Sequence, residues 1–197
     1  MKHGNERSET RESIMRATYC ALCKHGYADL TMQDIAEEFE KSKSLIHYHY
    51  ETKEDLFVAF LDYLFDHFRD HVESIESDDP AERLRQLLDL FQSGASDDEN
   101  RDFHVAILEI RAQAPYSEAY QEQLHQNDRF LHELVADIVR EGIEADQFKS
   151  VDPEVAATTL LATVDGLRVR RTTLGVDSAD SAVHDLLTRY LGWEREE

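Results

Sequence analysis

The sequence predicts an all-α protein, and two observations support that fold class. Long stretches are rich in leucine, alanine, glutamate, aspartate and arginine, whereas only seven glycines and three prolines occur in 197 residues. This composition favours helices over sheets and leaves little material for turns. In most of these stretches apolar residues recur at helical spacing. With 41% hydrophobic residues, the chain can bury a core for one domain or two small ones.

The first 50 residues predict three helices, of which the last two are short. Residues 10–25 carry apolar side chains on one face, and Gly26 follows them as a natural stop. Thr31, followed three residues later by Asp34, is typical of a capping box at the start of a second helix. Ser42 can cap a third helix over "KSLIHYHY". Two short helices across so brief a turn indicate a helix-turn-helix.

Six further helices are predicted beyond this motif, for a total of nine. Thr52 begins a cap signature for the fourth, and Asp79-Pro80 caps the fifth. The predicted spans are 56–75, 81–94, 101–114, about 116–144, about 153–174 and about 178–191.

The charge is strongly acidic, with 42 acidic against 21 basic residues and a formal net charge of −21. Such acid-rich, lysine-poor surfaces suit a cytoplasm at molar salt, so the composition indicates a halophile. Five of the six lysines nevertheless lie within the first 53 residues, and only Lys149 lies beyond them. The acidic bias is therefore relaxed at the N-terminal end.

Several classes of protein are disfavoured by what the sequence lacks. No apolar run has the length of a signal peptide or membrane span, so we expect a cytoplasmic protein. Cys20 and Cys23 lie three residues apart in a helical pattern, where they make a poor disulfide, and no second CxxC completes a zinc site. Because no nucleophile elbow, phosphate loop or paired-metal motif occurs, we expect neither an enzyme nor a cofactor.

The stretch "GYADLTMQDIAEEFEKSKSLIHYHYETKEDLF" resembles the DNA-binding domain of the TetR family of transcriptional regulators. The similarity extends through the cap and the long apolar helix that follow the motif. It implies a TetR-like fold with a DNA-binding domain at 8–68, a helix-turn-helix at 31–50, and a larger effector-binding and dimerisation domain at 69–197. Three positions depart from the family pattern: Glu40 replaces a turn glycine, Leu45 a small polar residue, and His47 a phosphate-contacting tyrosine.

The resemblance also implies which residues bind DNA, because the second helix of such a motif enters the major groove while flanking groups hold phosphates. The implied base contacts come from Lys43, Ser44 and Leu45. The implied phosphate contacts come from Thr31, Ser42, His47, Tyr48, His49 and Lys53. Tyr50 is expected to pack the small domain instead. In a helix, His47 and His49 diverge by about 200° and cannot share one ion.

For the larger domain, the resemblance implies a homodimer through the helices at about 153–174 and 178–191 and a cavity for a small-molecule effector. Gly166, unfavourable inside a helix, would permit close approach of the partner helix. Candidate effector-binding residues are Phe60, Tyr63, His67, His71, His104, Tyr120 and Arg168. The implied function is a homodimeric repressor that an effector releases from a palindromic operator.

A metal- or redox-responsive sensor remains the alternative. His67 and His71 lie one turn apart on the predicted apolar side of the fourth helix, where two imidazoles can share a metal. Cys20 and Cys23 are the corresponding redox candidates. Ordinary histidines at the edge of a core would give the same spacing.

Overall fold

A computed structural model describes residues 2–39, 43–92, 98–176 and 179–193. Within these ranges the chain forms nine α-helices, one short 3-10 turn at Ala114–Tyr116 and no strand, which confirms the predicted all-α class. The helices are α1 Lys2–Asp29, α2 Met32–Glu38, α3 Lys43–His49, α4 Lys53–Glu73, α5 Pro80–Gln92, α6 Asp98–Gln113, α7 Glu118–Glu144, α8 Pro153–Leu174 and α9 Ala179–Tyr190. No helix in the described ranges is both long enough and apolar enough to cross a membrane.

The chain folds into two compact units that are not consecutive in sequence. The first unit contains α1 to α3, α4 as far as Phe68, α6, the 3-10 turn and α7 as far as Leu124. The second contains the end of α4, α5, the remainder of α7, α8 and α9. Helix α6 belongs to the first unit because α1 packs against it as well as against α2.

The core of the first unit is built from buried apolar side chains of α1, α2, α3, α4, α6 and α7. Ile46 is the fully buried contribution of α3, while Phe57 and Phe60 come from α4 and Ile110 from α6. Because α2 and α3 have only seven residues each, neither is stable alone, and the shared core fixes their positions.

The caps predicted for α2 and α4 are present. Thr31 accepts from the amides of Gln33 and Asp34, and the Asp34 carboxylate accepts from the Thr31 amide at 2.7 Å, which completes the capping box of α2. Thr52 and Asp55 form the same reciprocal arrangement at the start of α4. These side chains satisfy amides that have no partner inside the helix.

The stop predicted at Gly26 is confirmed, but α1 resumes for one turn beyond it. Gly26 has φ 68° and ψ 166°, a backbone conformation that other residues rarely adopt, and the helix continues to Asp29. The chain therefore leaves the α1 axis at Gly26 and makes a separate turn, Tyr27–Asp29, before Leu30 and the cap of α2.

In the second unit, the segment between α7 and α8 holds the end of α9. The Lys149 amide donates to the Leu191 carbonyl at 2.8 Å, and its ammonium donates to the Arg189 carbonyl at 3.2 Å. A cation at the carboxyl end of a helix binds carbonyls that lack helical partners. This structural role accounts for the one lysine found beyond residue 53.

Candidate functional site

Helix α3 presents an outward face of short polar and aromatic side chains. Ile46 is completely buried, and Leu45 and Tyr50 pack partly buried against the same core. Ser44 and His47 are exposed, and Tyr48 is 73% exposed. The helix is thus anchored by one face and offers the opposite face to a partner. The packing predicted for Tyr50 is confirmed.

The aromatic run at the end of α3 is helical, so the two histidines do not point the same way. His47 and His49 both lie within the helix Lys43–His49. The His49 ring meets Tyr48 edge-on at 5.4 Å between centroids and lies 6.3 Å from the Tyr50 ring. His49 therefore packs among neighbouring rings, while His47 and Tyr48 remain the outermost groups of this stretch.

The hydroxyl of Thr31 is engaged in the N-terminal cap of α2. Its hydroxyl donates to Asp34 at 2.6 Å and accepts from the amides of Gln33 and Asp34. These bonds to the carboxylate lower the pKa of Asp34. A hydroxyl has one proton to donate, so direct donation from Thr31 to a phosphate would require breaking its bond to Asp34.

Lys53 points back into the first unit. Its ammonium donates to the Tyr27 carbonyl and lies 4.1 Å from the centroid of the Tyr27 ring. Burial lowers its pKa, although the nearby Glu109 carboxylate opposes that shift. Lys24 likewise makes an internal ion pair, with Glu38 at 2.7 Å. Two of the five N-terminal lysines therefore have structural contacts within the protein.

Part of the predicted site lies beyond the described residues. Ser42 falls outside the described ranges, as does the turn position Glu40. Lys43 is described as the first residue of α3, without its side chain. The predicted positions whose side chains are described are Thr31, Ser44, Leu45, His47, Tyr48, His49 and Lys53.

Comparison with known families identifies both parts of the chain. Residues 14–60 match the model of bacterial regulatory proteins of the tetR family. Residues 80–192, more than half of the chain, match the C-terminal model of BetI-type transcriptional repressors. The chain belongs to the TetR family of transcriptional regulators. It is accordingly a DNA-binding regulator, in a family of transcriptional regulators rather than of enzymes.

Individual relatives match between 71% and 94% of the length of this TetR-family regulator. It is 32% identical to the HTH-type transcriptional regulator TtgR of Pseudomonas putida over 189 residues, covering 89% of this chain and 85% of the relative. It is 25% identical over 143 residues to the HTH-type transcriptional repressor KstR2 of Mycobacterium tuberculosis, covering 71% and 69%. A crystal structure of a TetR transcription regulator from Haloarcula marismortui is similar at 41% identity and a TM-score of 0.85, covering 94% of this chain and 97% of that chain.

The candidate effector-binding residues occupy different environments in the regulator. Phe60 is fully buried, and Tyr120 is 2% exposed in the first core with its hydroxyl 2.9 Å from that of Tyr27. Burial, followed by this hydrogen bond, raises the pKa of Tyr120. Tyr63 is partly buried against the same core. Phe60 and Tyr120 therefore belong to the packed interior of the first unit and do not line an open cavity there.

The remaining candidates are more accessible. His67 and His71 are exposed, although the helical spacing places them on the apolar side of α4, because the last buried residue of that helix is Phe65. His67 packs edge-on against Tyr63 with ring centroids 4.3 Å apart. His104 is partly buried. In the second unit, partly buried Arg168 lies 3.4 Å from Asp165.

The observations do not favour a metal or redox sensor. Within the described ranges, no three histidine, cysteine, aspartate or glutamate residues are grouped so as to hold a metal ion. Cys20 is exposed and Cys23 partly exposed on α1, and neither forms a disulfide.

One group of contacts has no signal in the local sequence. The Glu109 carboxylate of α6 accepts from the amides of Tyr27 and Ala28, at 2.6 Å and 3.3 Å. Glu109 lies 49 residues beyond the end of the matched DNA-binding segment at residue 60. Only the fold brings this carboxylate to the turn that precedes the helix-turn-helix.

Proposed function

We propose that this regulator is a homodimeric repressor that reads a palindromic operator through α3 and is released by a small-molecule effector. The observation that carries the DNA-reading part is the outward face of α3, with Ser44, His47 and Tyr48 exposed above a fully buried Ile46. Such a short helix held rigidly on a core can enter the major groove and bring its side chains to base edges.

Within that face we assign different roles to different residues. Ser44, with the start of α3 at Lys43, is proposed to reach base edges, and the exposed part of Leu45 to meet a thymine methyl. His47 and Tyr48 are proposed to donate to phosphates. His49 and Lys53 stay in the proposed set, but each must leave a partner it already has: His49 its neighbouring rings, and Lys53 the Tyr27 carbonyl.

Tyr48 provides the sharpest test of this assignment. Replacing it with alanine removes one hydrogen bond to a charged acceptor, which contributes about 1.5–3 kcal/mol. Operator affinity should then fall by about tenfold or more. Tyr116, 88% exposed on the 3-10 turn, is the matched control, since its replacement also removes an exposed tyrosine but lies outside the helix-turn-helix. Equal effects of Y48A and Y116A in a fluorescence-anisotropy titration would contradict the assignment.

His47 adds a test based on pH. It is exposed on the proposed phosphate-binding face, and imidazole is the side chain whose charge changes closest to neutral pH. Operator binding should therefore weaken as pH rises through neutrality, and H47Y should flatten that dependence. An identical pH profile for H47Y and the unsubstituted protein would remove His47 from this role.

We propose dimerisation through α8 and α9. Support comes from large apolar side chains left exposed on and just after α8: Val155, Val169, Leu174 and Val176. Such residues are common at the centre of a symmetric interface. Pairing of α8 and α9 with their copies would form a four-helix bundle. Sedimentation velocity across a range of protein concentrations tests the dimer, and a monomer throughout would refute it.

The proposed domains are a DNA-binding domain at 8–68 and an effector-binding and dimerisation domain at 69–197. The matched family segments, 14–60 and 80–192, lie inside these limits. Among the candidate effector contacts, Tyr63, His67, His71, His104 and Arg168 are retained because they are not fully buried. Organic compounds that raise the melting temperature should also release a bound operator, because an effector must bind the two states with different affinity.

The acidic composition supports operation at molar salt in the cytoplasm. A net charge of −21 and the similarity to a regulator from Haloarcula marismortui both agree with this proposal. At about 1 M salt the Debye length is roughly 3 Å, so distant carboxylates do not repel DNA. Binding that is strongest in dilute buffer and lost at molar salt would contradict it.

A further inference from the structure

The turn Tyr27–Asp29 is held by a carboxylate from a distant part of the chain. Gly26 breaks the helical backbone of α1 with φ 68°, and the next two amides donate to one oxygen of Glu109. The distances are 2.6 Å from the Tyr27 nitrogen and 3.3 Å from the Ala28 nitrogen. An ionised carboxylate that accepts backbone amides makes stronger hydrogen bonds than a neutral acceptor does.

The same turn is fixed from two further directions. The Lys53 ammonium of α4 donates to the Tyr27 carbonyl and lies over its ring. The Tyr27 hydroxyl lies 2.9 Å from the hydroxyl of Tyr120 on α7. Phe57 meets the Tyr27 ring edge-on at 5.0 Å between centroids. The amide, carbonyl, ring and hydroxyl of Tyr27 are thus all engaged by α4, α6 and α7.

The position of this turn determines where the helix-turn-helix begins. Asp29 is followed by the buried Leu30 and then by Thr31, the N-cap of α2. A displacement of the turn would therefore be passed to α2 and, through their shared core, to α3. We propose that Glu109 is a positioning residue for operator binding, acting through the two amides of the Tyr27 turn and without a DNA contact of its own.

The charges around the turn agree with this role. Burial lowers the pKa of Lys53, and the Glu109 carboxylate is the main opposing influence. A partly buried ammonium is stabilised by a nearby opposite charge, so removing the carboxylate also weakens the hold of Lys53 on the Tyr27 carbonyl. Two contacts to one turn therefore depend on Glu109.

The inference rests on the proposed function, since it concerns operator binding. Its test compares the two variants E109A and E109Q. E109A removes the oxygen that accepts from both amides, while E109Q keeps an oxygen of similar position without the charge. Glu133, exposed on α7 in the second unit, provides the control variant E133A. Three quantities are measured: operator affinity, its dependence on salt, and the hydrogen exchange of individual amides in the DNA-free protein.

E109A should bind the operator about tenfold more weakly, with E109Q between it and the unsubstituted protein. Its salt dependence should not change, because no phosphate contact is lost. Exchange should accelerate at Tyr27 and Ala28 while the rest of the first core stays protected. E133A should match the unsubstituted protein in every measurement.

Two outcomes would overturn the inference. Faster exchange at Tyr27 and Ala28 with unchanged operator affinity would show that the turn does not position the reading helices. Faster exchange throughout the first core would reduce Glu109 to a general stabilising residue. Failure of the unsubstituted protein to bind any selected operator would instead refute the proposed function, and with it this inference; the exchange data would still report the contact itself.

Discussion

Replacing Gly166 with alanine separates the properties of α8 in one protomer from its role in the proposed dimer. A Cβ atom built on Gly166 meets no heavy atom within 4 Å, so the protomer itself has room for a methyl group. Glycine inside a helix costs about 1 kcal/mol relative to alanine. Within one protomer the substitution should therefore stabilise the fold by about 1 kcal/mol, or about 2–4 °C in melting temperature for a chain of this size.

In the proposed dimer, the same substitution should weaken the association of the two protomers. If a partner helix approaches α8 at Gly166, the added methyl is overpacked in both copies, and overpacking costs about 1–3 kcal/mol per site. The dimer dissociation constant should then rise by about tenfold or more. The assay is sedimentation velocity over a concentration series, with melting temperature recorded in parallel.

The dimer dissociation constant and the melting temperature together show whether the two α8 helices meet at Gly166. A weaker dimer together with a more stable protomer supports close approach of α8 helices at Gly166. A G166A protein that melts at a higher temperature and dimerises as tightly as the unsubstituted protein would refute that contact, and would place the interface elsewhere on α8 and α9.

Three further predictions concern other parts of the molecule. Gly142→Ala puts a Cβ 2.1 Å from the Phe148 ring. Urea denaturation should therefore show a free energy of unfolding lower by about 1–2 kcal/mol, even after the gain in helix propensity. An unchanged free energy of unfolding would contradict this packing of Phe148 on Gly142. Lys53→Met should weaken operator binding and lower the slope of log affinity against log salt by about 0.9; weaker binding with an unchanged slope would leave Lys53 only its contact with Tyr27. Glu82 has its pKa lowered to about 2, mainly by a hydrogen bond from an arginine on the same helix, so its contribution is present above its ordinary pKa of 4.5 and lost as pH falls towards 2. The melting temperature of E82Q should accordingly fall less between pH 6 and pH 3 than that of the unsubstituted protein. Equal falls would exclude a stabilising contribution from this hydrogen bond.

The local sequence was sufficient to predict the helices of the described ranges and the caps at Thr31 and Thr52. Thr31 with Asp34, and Thr52 with Asp55, form reciprocal hydrogen bonds between residues three apart. Such bonds depend on nearby residues alone, so a short stretch of sequence contains all the information needed to predict them. The order and number of helices followed for the same reason, because apolar periodicity is also a local property.

Periodicity was insufficient where burial depends on how far a packing partner extends. The helical wheel places His67 and His71 on the apolar side of α4, yet both are exposed because the buried part of that side ends at Phe65. The wheel shows which residues share a face but not where along the helix that face is covered. Tyr120 is the opposite case, because a residue considered as an effector contact lies inside the core. Its hydroxyl is hydrogen-bonded there to that of Tyr27, a residue 93 positions away.

The contacts of Glu109 and Lys53 were beyond local reasoning for a related cause. Glu109 meets Tyr27 across 82 positions of sequence, and nothing in "LEIRA" distinguishes it from an ordinary surface glutamate. Lys53 was predicted from the family pattern to face phosphates, whereas its ammonium lies on the Tyr27 carbonyl and ring. Long-range hydrogen bonds of this kind depend on which distant helices pack beside the end of α1, and only the folded structure defines that packing.

Selection of random double-stranded DNA by the unsubstituted protein at about 1 M salt tests the central claim most directly. A homodimeric repressor should enrich a palindrome whose half-sites lie about one helical turn apart or slightly more, because two α3 helices related by a two-fold axis read successive major grooves. Recovery of such a site, with binding lost when either half-site is scrambled, would support a dimeric operator-binding regulator. Enrichment of no palindrome under these conditions would contradict it.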